Sequence, residues 1–62
     1  SILDDIPGVG KKRKQALLTY FDNLDTLYDA SLDDIKNVPS IPEKLAVTIY
    51  ERLQEDKKDK NK

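Results

Sequence analysis

The chain has 62 residues, of which 37% are charged and 37% hydrophobic, and its 11 Lys and Arg against 12 Asp and Glu leave a net charge of −1. It contains no Cys and no His, which excludes a disulfide framework, a thiolate zinc site and most acid-base catalysis. So short a chain buries only about 60% of its unfolded surface, so a single small core is expected, without the basic balance that marks a whole-domain nucleic-acid binder.

No run of about eighteen apolar residues occurs, and the start, Ser-Ile-Leu-Asp-Asp, lacks the layout of a secretory signal. A soluble cytoplasmic domain with no membrane partner is expected. Its first residue, Ser1, suggests a piece of a longer chain.

Helical spacing recurs throughout and no segment alternates as a half-buried strand does, so the fold class is all-α. In chain order, Ser1 precedes Ile2-Leu3-Asp4 in a shortened capping-box pattern that predicts a short helix. A turn, Pro7-Gly8-Val9-Gly10, follows, and then a longer helix whose apolar face is Ala16, Leu17, Leu18 and Phe21. Leu24, Leu27 and Tyr28 predict a two-turn connecting helix capped by Asn23 or Asp22. Ser31 opens a second short helix at Leu32-Asp33-Asp34, and Leu45, Ala46, Ile49, Tyr50 and Leu53 mark a second long one. From Glu55 the apolar residues stop, and "EDKKDKNK" reads as a charged, disordered tail.

An internal repeat at an offset of 32 organises these elements. Leu3, Ile6, Val9, Leu17, Leu18 and Phe21 map onto Ile35, Val38, Ile41, Ile49, Tyr50 and Leu53, while Pro7 and Lys12 map onto Pro39 and Lys44. The expected architecture is a tandem helix-hairpin-helix: a first short-helix, hairpin, long-helix unit over residues 1–21, a connector over 22–30 and a second unit over 31–54. One core between the units is required, because a single unit cannot cover its own apolar faces. A domain over 1–54 and a tail over 55–62 complete the division. Tyr20, Phe21, Tyr28 and Tyr50 are all expected in or beside the core.

The two hairpins differ in chemistry. "IPGVGKKRKQALL" places four cations, Lys11, Lys12, Arg13 and Lys14, in a first helical turn, where the helix dipole disfavours positive charge by a few tenths of a kcal/mol each. A dinucleotide fingerprint wants a glycine at Arg13 and a preceding strand, and a nucleotide-hydrolase phosphate loop wants a glycine at Asp5. Neither fits. A helix-hairpin-helix turn does: its glycines permit positive φ, and its uncovered amides with the following helix N-terminus form an anion site. A DNA phosphate seated there turns the four cations into counter-ions, with a salt slope of about −3 to −4 if four phosphates are neutralised.

The second hairpin, "VPSIPEKLA", has Ser40 for Gly8, Pro42 for Gly10 and Glu43 for Lys11. Glu43 suits the dipole and repels phosphate, leaving Lys44 and a weaker contact. The plain alternative, a solvated charge run and a helix cap with no ligand, stands beside both readings.

The stretches "LDDIPGVGKKRKQALLTYF" and "ASLDDIKNVPSIPEKLAVTIYERL" resemble the tandem helix-hairpin-helix domain at the C-terminus of the bacterial excinuclease subunit UvrC. The resemblance implies a non-catalytic DNA-binding module of nucleotide excision repair that favours junctions between paired and unpaired strands and works beside other excision-repair subunits. It carries DNA contacts to Gly8, Val9, Gly10, Lys11, Lys12 and Arg13 in the first hairpin and to Ser40, Ile41, Pro42 and Lys44 in the second. Ser40 departs from the family's usual glycine, and so does Asp22 after the first long helix. No cofactor and no metal site are expected, and the isolated domain is expected to be a monomer. The rival is a protein-interaction module that pairs with another helix-hairpin-helix domain and exposes an apolar patch.

Overall fold

In a computed structural model that describes residues 1–60, a 3-10 helix over Ile2–Asp5 leads into α1 (Lys11–Phe21), α2 (Leu24–Tyr28), α3 (Leu32–Lys36) and α4 (Glu43–Lys60), with no strand among those residues. The boundaries follow local chemistry. At the 3-10 helix, Asp4 reaches back to the amino group of Ser1 at 3.1 Å. α1 stops at Phe21 because Asp22 leaves helical torsions for φ 72° and ψ −41° and Asn23 continues in extended backbone. Asn23 is the cap of α2, its Oδ1 accepting from the Thr26 amide at 2.8 Å. At α3 the capping box is reciprocal: the Asp34 amide donates to Ser31 Oγ at 3.1 Å, and the Ser31 amide donates to the Asp34 carboxylate at 3.4 Å.

The repeat is what fills the core. Five of its apolar pairs, Leu3/Ile35, Ile6/Val38, Val9/Ile41, Leu17/Ile49 and Phe21/Leu53, are buried in both copies. The sixth, Leu18/Tyr50, packs at the edge of the same cluster. Leu27 of α2 is fully buried between the units, the connector therefore acting as part of the core. Truncating Leu3, Leu17, Leu27 or Leu53, all nearly inaccessible to water, is expected to cost about 2–5 kcal/mol, a large share of what so small a domain has. Among the described residues no polar or charged side chain is buried.

Two expectations need correction. The charged tail expected from residue 55 is helical through Lys60, while residues 61 and 62 lie outside the described residues. Tertiary contacts hold this extension: the Tyr28 hydroxyl hydrogen-bonds to the Asp56 carboxylate, and Lys57 Nζ lies 3.6 Å from Asp29. The second correction concerns Tyr20, which is 49% exposed, whereas Phe21 is buried and Tyr28 and Tyr50 are partly so. No helix among the described residues is long and apolar enough to cross a membrane.

Candidate nucleic-acid interface

The first hairpin turns on Gly8, whose φ of 92° only glycine adopts without strain. A Cβ there would also lie 3.1 Å from Leu45 Cδ1, so α4 closes directly over this turn. Gly10 is different. Its φ of −85° and ψ of −172° suit any residue, and no heavy atom lies within 4 Å of where its Cβ would be. Neither torsion nor packing asks for a glycine there; as the N-cap of α1 it leaves the backbone bare, and a group arriving from outside gains close access.

Behind Gly10 lies a row of unpartnered donors. The Val9 amide is already bonded to the Ile6 carbonyl at 3.0 Å, and the first intrahelical bond of α1 is Lys14 to Gly10 at 3.0 Å. Among the described residues this leaves the amides of Gly10, Lys11, Lys12 and Arg13 without a partner at the positive end of the α1 dipole. The row of free donors is thus one residue shorter than the hairpin tip suggests, since Val9 contributes a buried side chain and a used amide.

The four cations divide into two pairs. Lys11 and Lys12 are exposed and form no ion pair or hydrogen bond among the described residues. Lys14 is bound to Asp4 at 3.1 Å, and that contact, with the amino terminus second, holds the Asp4 carboxyl below its ordinary value of 3.8. Arg13 spans the two hairpins: its Nε donates to the Ser40 carbonyl at 3.1 Å and an Nη donates to the Gly8 carbonyl at 3.0 Å. The repeat itself carries a signal for this division. Lys11 and Lys12 correspond to Glu43 and Lys44, which are exposed, whereas Arg13 and Lys14 correspond to Leu45 and Ala46, which face inward.

The second hairpin has the same backbone with poorer chemistry. Ser40, the counterpart of Gly8, holds φ 72°, a conformation that costs a residue with a Cβ about 1–2 kcal/mol. Ile41 is buried, and its amide bonds to Val38 at 3.4 Å. Pro42 stands one residue before α4 and supplies no N–H, so the unpartnered donors there are the amides of Glu43, Lys44 and Leu45. Glu43 is partly neutralised by Lys36 at 3.7 Å, which leaves Lys44 exposed. Gly10, Lys11, Lys12, Arg13 and Ser40 line one open depression, so the two tips border a common surface.

Two short-helix, hairpin, long-helix units around a shared core define the tandem helix-hairpin-helix class. Residues 1–55 match the family described as SAM-like helix-hairpin-helix tandem, and the chain belongs to it. More narrowly, the sequence is that of a UvrC-type helix-hairpin-helix region. It is 70% identical over 59 residues to UvrABC system protein C of Methanosphaera stadtmanae, covering 95% of this chain and 10% of that protein. Identity to the proteins of the same name is 51% over 55 residues in Dichelobacter nodosus (89% of this chain, 9% of that protein) and 56% over 50 residues in Dictyoglomus thermophilum (81% and 8%). The chain therefore spans about a tenth of the length of the relatives it matches. No solved structure matches it.

Proposed function

We propose that the domain over residues 1–54 binds DNA through its backbone phosphates, without reading sequence, and that it does so chiefly through the first hairpin. The observation that carries this reading is Gly10: a glycine required by neither torsion nor packing, backed by four unpartnered amides and flanked by the free cations Lys11 and Lys12. Phosphate oxygens fit such a site because backbone donors and the helix dipole act together on an anion. Neither tip offers a side chain arranged for bidentate reading of base edges, so shape and charge govern the choice of site.

Lys44 and the amides of α4 make the second hairpin a weaker contact, and two tips on one surface suit a junction, where strands diverge. With Arg13 and Lys14 engaged inside the fold, about two to three phosphates are neutralised, for a salt slope near −2 to −3. In this reading the module is non-catalytic and serves the excision-repair role that its UvrC-type relatives suggest, beside the other subunits of that system. Pairing with another helix-hairpin-helix domain has less support. Tyr20 is the one large apolar side chain left exposed among the described residues, far less than a stable interface of about 1,200–2,000 Å² requires.

The test is a salt titration of a splayed duplex against a fully paired one, with wild type and a Lys11→Glu/Lys12→Glu double variant. Wild type should prefer the splayed duplex, and the variant should bind neither. Undiminished binding by the double variant would refute the hairpin reading.

A further inference from the structure

Tyr20 forms one end of a shallow groove between α1 and the second hairpin, lined by Lys12, Gln15, Ala16, Thr19, Tyr20 and Pro39. Its floor is mostly apolar, no carboxylate lines it, and Lys12 stands at its other end. Lys12 also lines the depression around Gly10 and Ser40, so the groove continues from the phosphate site. The Tyr20 ring is held in place: it meets buried Phe21 edge-on, with ring centroids 4.9 Å apart and planes at 68°. Gln15 donates to Thr19 Oγ1 at 3.0 Å along the groove, leaving its amide oxygen as an acceptor.

We infer that this groove takes an unpaired stretch of the strand whose phosphate sits at the first hairpin, with one base stacked on Tyr20 and a phosphate about three steps along the same strand on Lys12. The inference rests on the DNA-backbone reading above and adds to it a reason for choosing unpaired strands. Lys12 and Tyr20 are eight residues apart on α1, about 12 Å along the axis, the length of about three stacked nucleotide steps at ~3.4 Å each. A cation at one end and an oriented aromatic face at the other match phosphate and base in that span, and a base inside a duplex cannot present its face to the ring. A second copy of the chain fits less well, because one ring gives little area and no acidic residue of the groove meets Lys12.

The experiment compares binding of the 62-residue chain to a blunt duplex and to the same duplex with a single-stranded thymidine overhang, using wild type, Tyr20→Ala, Tyr20→Phe and the Lys11→Glu/Lys12→Glu variant. Tyr20→Ala should weaken overhang binding about five- to tenfold, the low end of what losing one base-aromatic stack produces, and leave blunt binding and the salt slope unchanged. Tyr20→Phe should bind as wild type. Equal loss on both duplexes, no loss on either, or loss with Tyr20→Phe would overturn the groove assignment, as would a shift of the sedimentation coefficient by Tyr20→Ala without DNA. The hairpin reading fails separately, through retained binding by the double-glutamate variant.

Discussion

The same substitution at the two glycines of the first hairpin should separate folding from binding. In Gly8→Ala the new Cβ is forced into φ 92° and to 3.1 Å from Leu45 Cδ1. The left-handed conformation costs about 1–2 kcal/mol, and half-buried Leu45 must give by a few tenths of an ångström. For a domain of this size each kcal/mol shifts Tm by about 4–8 °C, so thermal unfolding should move down by roughly 5–15 °C. In Gly10→Ala the torsions are ordinary and the Cβ meets nothing. Alanine is a poorer helix cap than glycine by about 0.5–1 kcal/mol, but it also restricts the unfolded chain by a similar amount, so Tm should stay within a few degrees. The methyl group instead occupies the approach to the amides of Lys11 and Lys12. Hydrogen bonds to a charged partner are worth about 1.5–3 kcal/mol each, so losing one phosphate contact should weaken binding about ten- to a hundredfold. The assays are circular dichroism melting and fluorescence anisotropy with splayed duplex. Wild-type affinity in Gly10→Ala, or a melting loss like that of Gly8→Ala, would refute the assignment of Gly10 to an external anion.

Arg13→Met keeps the aliphatic stem and removes the bonds to Gly8 and Ser40; urea unfolding should show a loss of about 1–2 kcal/mol, while Lys11→Met should leave stability the same or up to a few tenths of a kcal/mol higher and lower the salt slope by about one. The Asp4 carboxyl is held below its ordinary 3.8 by Lys14 in the folded state, so its contribution is present above the unfolded value and lost as pH falls through the folded one. Asp4→Asn should therefore lower stability slightly near neutral pH, the loss being small because the pair is exposed, converge with wild type in acid, and so flatten the acid limb of a stability-against-pH curve below about pH 4.

The helices, the core and the doubling of the unit were legible because apolar spacing and the offset of 32 point the same way. Each repeated apolar pair named from sequence packs in or against the core. The division of labour within Lys11–Lys14 was not legible from charge alone, since Arg13 reaches a carbonyl 27 residues away, a contact that only the packing of α1 against the second hairpin creates. Comparing the copies at Leu45 and Ala46 would have disclosed it. The helical extension to Lys60 depended on Asp29 and Tyr28 lying beside Lys57 and Asp56, which no local pattern encodes. Tyr20 was misplaced because a tyrosine next to Phe21 on a helix reads as a flank of the core, although its counterpart at the offset of 32 is the charged Arg52, a sign that the position faces outward.

Positions 13 and 45 occupy the same place in the two copies, as do 8 and 40. Arg13 touches Ser40 and Leu45 touches Gly8, so each long helix holds the other unit's turn. The exchange makes the pair behave as a caliper whose jaws cannot be set independently. Arg13 also bonds to the turn of its own unit, so one guanidinium fixes the gap between the jaws. On the DNA-backbone reading proposed above, a duplex or junction that fits that gap would meet both tips at once, and one that does not would settle for a single contact. Arg13 thereby couples the spacing of the two tips from within the fold, apart from any contact of its own with a ligand.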